Sequence, residues 1–260
     1  MPWTLSHPAA VIPLRRLSPR PLDFAALVIG SMTPDVGYYI DRFDLANFAH
    51  TLPGSFIACL PIGVIMLFIF YLFARPVCYA LPEPHRQSLF SLCPDFPTGL
   101  TSWAINLLAL LLGAWTHNFW DAFTHEHGWF VERIPWLQQP VLRITSTNVH
   151  MFLLLQELST LAGFVIVVIV YGRWLRRQRP SRSASSESDG WRYFFWAAIL
   201  GLALVISLPT AVHYAIAESR HGFLFLRSVL FQGAIYSARI VVPLSLICTT
   251  VIYARHRRRT

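Results

Sequence analysis

The stretch GAWTHNFWDAFTHEHG closes a long apolar run and spaces His117, Asp121 and His125 four residues apart. On an α-helix each four-residue step overshoots a full turn by about 40°, so the three side chains fall within an arc of roughly 80° and form one polar stripe on a greasy rod. Imidazole and carboxylate donors without a cysteine among them suit a divalent metal, zinc first and manganese or iron behind it. Neighbouring members stand about 6 Å apart along the axis, whereas His117 and His125 are about 12 Å apart, too far to share one tetrahedral ion on a regular helix. Either the helix ends near Phe123, or Asp121 is shared between two ions about 3.5 to 4 Å apart, an arrangement that supports in-line attack on phosphate esters. The blander alternative is that the three groups cap the helix and line a wet vestibule. A polar stripe costs free energy in lipid, so in a membrane protein it points to function.

Composition places the rod in a membrane. With 55% hydrophobic residues, 13% charged residues and a mean hydropathy of +0.48, the chain is too apolar for an ordinary soluble domain. The expected fold class is all-α, an integral membrane helical bundle with five or six transmembrane helices. Five spans read from Leu52 to Ala74, Thr101 to about Trp120, Met151 to Gly172, Tyr193 to Ala217 and Gln232 to Ala254. Each approaches the ~20 residues needed to cross the hydrocarbon. A sixth candidate, Leu22 to Ile40, contains Asp23, Pro34 and Asp35, which favours a tilted or surface-lying helix as much as a crossing.

Orientation follows from arginine, since all 21 basic residues are Arg. The segment RWLRRQRPSR and the tail RHRRR should stay in the cytoplasm, which makes the chain a multi-pass inner-membrane protein with a cytoplasmic C-terminus. The His117/Asp121/His125 end then faces outward, where His50, His127, His150, His213 and His221 also gather. Arg15, Arg16 and Arg20 would prefer the cytoplasm, which requires 22–40 to cross and leaves His7 on the opposite face. If 22–40 instead dips back or lies on the surface, His7 and Asp35 both reach the cluster. Three parts are expected: 1–172, a metal-site membrane domain with the first three spans; 173–192, a disordered Arg/Ser-rich cytoplasmic linker; and 193–260, two supporting spans and a basic tail.

Several classes fall away. The net charge of +8 is mostly topology-setting arginine without an aromatic-basic groove, so no nucleic-acid partner is expected. No Gly-rich phosphate loop, nucleophile elbow or lysine is present. The four cysteines form no C-x-x-C pair. Asp35, following Pro34, is as well suited to cap a helix as to bind metal. Glu157, with Gln156, Ser159 and Thr160, makes a polar patch two turns into the third span that suits a supporting or helix-packing role.

The segments MPWTLSHPAAVIPLRRL, LVIGSMTPDVGYY, AHTLPG and LLGAWTHNFWDAFTHEHG resemble a family of bacterial multispanning membrane proteins of unknown function, over nearly the whole chain. More distantly, the order of His and Asp residues is similar to that of inner-membrane YdjM-type metal-dependent hydrolases. Behind those stand the zinc-dependent phospholipase C and S1/P1 nuclease enzymes. That resemblance implies His7, Asp35, His50, His117, Asp121 and His125 as ligands. The pattern departs at the H-x-x-x-E element of the phospholipases, because Leu154 stands four residues after His150.

The expected function is metal-dependent, zinc-type hydrolysis of a phosphoester, possibly lipid-linked, at the outer membrane face. Asp35 or Asp121 would accept the proton of the attacking water. The alternative is a non-catalytic membrane protein that binds metal, serves transport or supports a complex structurally. The expected partners are the lipid bilayer and a lipid or phosphoester substrate.

Overall fold

The computed structural model describes residues 3–17, 22–144, 147–178 and 189–258. Almost all of them are helical. The described elements are α1 (Pro8–Leu17), α2 (Phe24–Gly30), α3 (Val36–Tyr39), α4 (Phe43–Ala49), α5 (Leu52–Tyr79), α6 (His85–Phe90), α7 (Leu100–Thr124) and α8 (Trp129–Arg133). A hairpin of β1 (Pro140–Ile144) and β2 (Thr147–His150) precedes α9 (Met151–Arg177), α10 (Gly190–Ala217) and α11 (Gly222–Arg257). Among the described residues five helices are long and apolar enough to cross a membrane: Leu52–Tyr79, Leu100–Arg133 (which runs α7 and α8 together), Met151–Arg177, Gly190–Ala217 and Gly222–Arg257. All five extend beyond the apolar runs that announce them, because the polar residues at their ends continue the same helices.

The chain divides into two compact units, Met1–Phe68 with Phe96–Gly172, and Ile69–Asp95 with Arg173–Thr260. The first carries the candidate site. There α7 turns one stripe inward, with Asn106, Leu110, Gly113, His117, Asp121 and Thr124 all buried at steps of three or four residues. Against it lies α2, whose start is capped by Asp23, the side chain accepting from the Ala26 amide at 2.7 Å. The approach is backbone to backbone. A Cβ on Gly113 would sit 2.3 Å from the Leu27 carbonyl oxygen, and one on Gly30 would sit 2.2 Å from that of Leu110.

Residues Leu22 to Ile40 do not form a sixth long helix. α2 has seven residues and is about 10 Å long, a third of the hydrocarbon thickness. A 3₁₀ turn at Thr33–Asp35, with Pro34 inside it, breaks the path before α3. Pro34 lacks the amide that continuing the helix would need. The chain therefore folds back, and His7 and Asp35 both arrive at the Thr124 end of α7.

The hairpin was not expected of an all-helical chain. β1 and β2 pair antiparallel, with Leu142 opposite Val149 and Arg143 opposite Asn148. Their β-branched residues Val141, Ile144 and Val149 fit a pleated surface better than a helix.

In the second unit α10 and α11 pack through small residues. Ala203, Ala211 and Ala215 are buried, and Ser207 and Ser237 share a hydrogen bond at 2.7 Å. Arg192 is fully buried, donating to the Tyr79 carbonyl at 3.3 Å and to Asp189 at 3.0 Å. α9 continues to Arg177 and α10 starts at Gly190, so the ends of the expected linker are helical. Residues 179–188 of that segment and Arg20 lie outside the described residues.

Candidate metal centre

Four side chains from separate stretches meet at the end of α7. His117 and Asp121 are successive members of its inward stripe, Asp35 ends the 3₁₀ turn, and His50 closes α4. One donor atom from each lies within 4.8 Å of all the others, a grouping that could hold a metal ion. His50 Nε2 and His117 Nε2 are each 3.2 Å from Asp121 Oδ2 and 3.2 Å from one another. Asp35 Oδ1 is 3.5 Å from His117 Nε2 and 3.8 Å from His50 Nε2.

Main-chain carbonyls decide which imidazole nitrogens carry protons. His117 Nδ1 lies 2.8 Å from the Ser31 carbonyl, and His50 Nδ1 lies 2.7 Å from that of Ala46. A carbonyl oxygen only accepts, so each Nδ1 must donate, and the neutral ring is left with its lone pair on Nε2. Those two lone pairs face each other and two carboxylate oxygens. One shared proton would serve a single pair, whereas four converging acceptors call for a cation. Asp35 Oδ1 and both oxygens of Asp121 are buried with no hydrogen-bond partner. Buried acceptors in that condition cost free energy unless something absent from the protein chain satisfies them.

Positioning groups surround the four. The Thr4 hydroxyl donates to Asp35 Oδ2 at 2.6 Å and accepts from the Tyr39 hydroxyl at 3.0 Å. Asp35 is the residue before α3, but its side chain makes no cap hydrogen bond and turns to the cluster instead. Asn118 donates to the Ala49 carbonyl at 3.1 Å and to Ser55 Oγ at 3.2 Å, tying the end of α4 and the start of α5 to α7. Thr4, Ser31, Ala46 and Asn118 went unnoticed in the sequence. Two act through main-chain carbonyls, and the pairing of Thr4 with Asp35 bridges 31 residues.

His7 and His125 flank this core. The His7 ring stacks on His117 with centroids 3.5 Å apart, and its Nε2 stands 3.6 Å from Asp121 Oδ1 without a hydrogen-bond partner. α7 ends at Thr124, one residue past Phe123, and His125 leaves in extended conformation. Its Nδ1 thereby swings back to 3.1 Å from the Asp121 carbonyl and 3.5 Å from Asp121 Oδ2. The break in the helix overcomes the axial separation that a straight rod would impose. His127, His213 and His221 are exposed, and the His150 ring stacks on Phe152, so none of these four belongs to the grouped donors. Gln156 is buried, and Thr160 accepts the Trp3 amide at 3.2 Å, so the polar patch on α9 serves to hold the N-terminal segment.

The local field is negative. Burial lowers the pKa of His7 to about 3, with His117 acting in the same direction and Asp121 and Asp35 opposing, so its ring is neutral. Burial would raise Asp35, but the charge that His117 carries when protonated, 3.5 Å away, outweighs it and holds the carboxyl below its ordinary range. Tyr38 is pushed up by burial first and then by the charges of Asp35 and Asp121. With both imidazoles neutral, as ligation through Nε2 requires, the two carboxylates leave a formal charge of −2, which a divalent cation would balance. The observed donors fit such an ion.

No curated protein and no solved structure matches this chain. One family model does, over residues 1–254, and its description is Domain of unknown function (DUF4184). A match over nearly the whole length means that the protein belongs to the DUF4184 family.

Proposed function

We propose that the protein is a metal-dependent hydrolase of the bacterial inner membrane, binding zinc or a similar cation at the outer face and cleaving a phosphoester. The observation that carries the reading is the convergence of His50 Nε2 and His117 Nε2, each left free to ligate because its Nδ1 donates to a main-chain carbonyl, on Asp35 and Asp121. Zinc held by nitrogen and oxygen at about 2.0 to 2.2 Å has tetrahedral donor edges of roughly 3.3 to 3.6 Å. Five of the six separations among these donors run from 3.2 to 3.8 Å, and all six lie within 4.8 Å. A divalent cation supplies Lewis acidity for the phosphoryl oxygen and renders a water acidic enough to attack near neutral pH.

The protein's own groups do the rest. Asp121 turns Oδ2 to the cluster and keeps Oδ1 for the proton of the attacking water, 3.6 Å from His7 Nε2. The new P–O bond forms to that water oxygen, the ester P–O bond breaks, and the departing oxygen regains the proton. His50 and His125 are the partly open members of the group and mark the side from which a phosphate approaches. Thr4 holds Asp35, and burial excludes competing water.

A second reading has its own support. Four protein donors close a tetrahedron, and closed sites are commonly structural. The detergent-purified protein, assayed against water-soluble and lipid-linked phosphoesters, separates the two. The hydrolase reading expects turnover that disappears with the metal in His117→Ala. Bound metal with no turnover on any phosphoester would leave a non-catalytic metal-binding or structural membrane protein.

A further inference from the structure

We propose that a cleft beside the metal centre holds one alkyl chain of a membrane phospholipid, which makes the substrate a lipid phosphoester drawn from one leaflet. This rests on the hydrolase reading for its chemistry. The cleft, about 420 Å³, lies between the N-terminal segment, α7 and α9, where Ala9, Ala10, Trp120, Leu155, Ala162 and Ile166 line it. Its volume is that of a small-molecule site. Small side chains at Ala9, Ala10 and Ala162 open a channel where larger ones would close the gap.

Its occupant follows from depth and surroundings. Leu155 to Ile166 is eleven steps along α9, about 16 Å, close to half of the roughly 30 Å hydrocarbon thickness. The lining starts four residues into a membrane-length helix of 27 residues and ends just past its middle. Leu158, Leu161, Phe164 and Val165 on that helix are exposed, so the cleft opens among side chains that lipid must cover. A slot of one-leaflet depth, apolar along its length, matches an alkyl chain. Its polar groups are few. Ser6 is already committed to the Thr160 carbonyl at 2.7 Å and Ser159 to the Gln156 carbonyl at 3.0 Å, which leaves His7. The His7 side chain is 2% exposed, its Nε2 has no hydrogen-bond partner, and the residue borders the cleft while its ring stacks on His117. The cleft and the centre thus share a wall, and a phosphate on the chain in one lies within reach of the other.

The test uses the full chain in mild detergent, supplied with phosphatidylglycerol and examined by native mass spectrometry beside elemental analysis. Wild type should retain a single lipid; Ala162→Phe, which fills the cleft, should lose it while keeping its metal; Leu161→Phe, on the exposed side of α9, should keep both. Photoactivatable phosphatidylglycerol should label wild type at Ala9, Ala10 and 155–166, a result that does not depend on either variant folding. Equal lipid retention in Ala162→Phe, labelling spread evenly over the exposed face, or a polypeptide captured in the cleft would overturn the proposal. Lipid retention by a wild type without metal would sink the hydrolase reading and leave the chain site standing.

Discussion

At the residue scale, the tautomers of His50 and His117 are set by groups that never touch a metal. The Ser31 and Ala46 carbonyls accept hydrogen bonds from the Nδ1–H groups and so leave Nε2 for the cluster. Thr4 plays the corresponding role for Asp35. Removing a positioning hydrogen bond of this kind typically costs 10- to 100-fold in metal affinity. Thr4→Val, which keeps the shape and deletes the hydroxyl, is expected to weaken binding by about that factor in a chelator competition titration. His7 gives a pH prediction with a definite sign. Its pKa falls from 6.5 to about 3 on folding, so between those values the unfolded chain binds the proton and the native one does not. Stability is therefore undiminished above 6.5 and declines as pH drops through that window. Thermal melts of metal-stripped protein should show Tm falling from pH 7.5 to pH 5, and falling less in His7→Phe, which keeps the stacked ring and cannot titrate. An equal fall in both would remove His7 from the account.

At the element scale, the crossing of α2 on α7 sets the site, because it brings the Ser31 carbonyl onto His117. Gly113→Ala would place a Cβ 2.3 Å from the Leu27 carbonyl oxygen. Overpacking of this sort costs typically about 1 to 3 kcal/mol. The variant should melt several degrees lower and bind metal more weakly, whereas Gly201→Ala, with nothing within 4 Å of its Cβ, should do neither. The pair is compared by differential scanning fluorimetry. What was legible in the sequence follows the same lines. His117 and Asp121 share one helix, so their spacing shows them on one face, and the five long apolar runs announce their helices without help. The contributions of Ser31 and Ala46 were hidden, because a carbonyl acceptor has no residue signature. Residues 22–40 were ambiguous because hydropathy counts Leu27 and Ile29 but does not weigh what Pro34 does to the backbone. His125 was half visible: an end near Phe123 was one of two stated options, and the helix stops at Thr124. The hairpin was missed because its strands are short and border far stronger apolar signals.

At the scale of the whole molecule, the arginine distribution is the ground for expecting the metal centre at the outer face and the C-terminal end in the cytoplasm, an orientation that labelling tests. With the native cysteines replaced, Glu126→Cys should react with a membrane-impermeant maleimide in intact cells, and Arg257→Cys only after permeabilisation. The reverse pattern would place the centre on the cytoplasmic side and remove any substrate of the outer leaflet. Beneath every functional statement stands one claim, that two aspartates and two histidines grip a divalent ion. Elemental analysis of the detergent-purified protein tests it most directly. A stoichiometric divalent metal in wild type, absent from both His117→Ala and Asp121→Asn, is the predicted result; a wild type that takes up no divalent ion, or variants that bind it as well as wild type does, would contradict it.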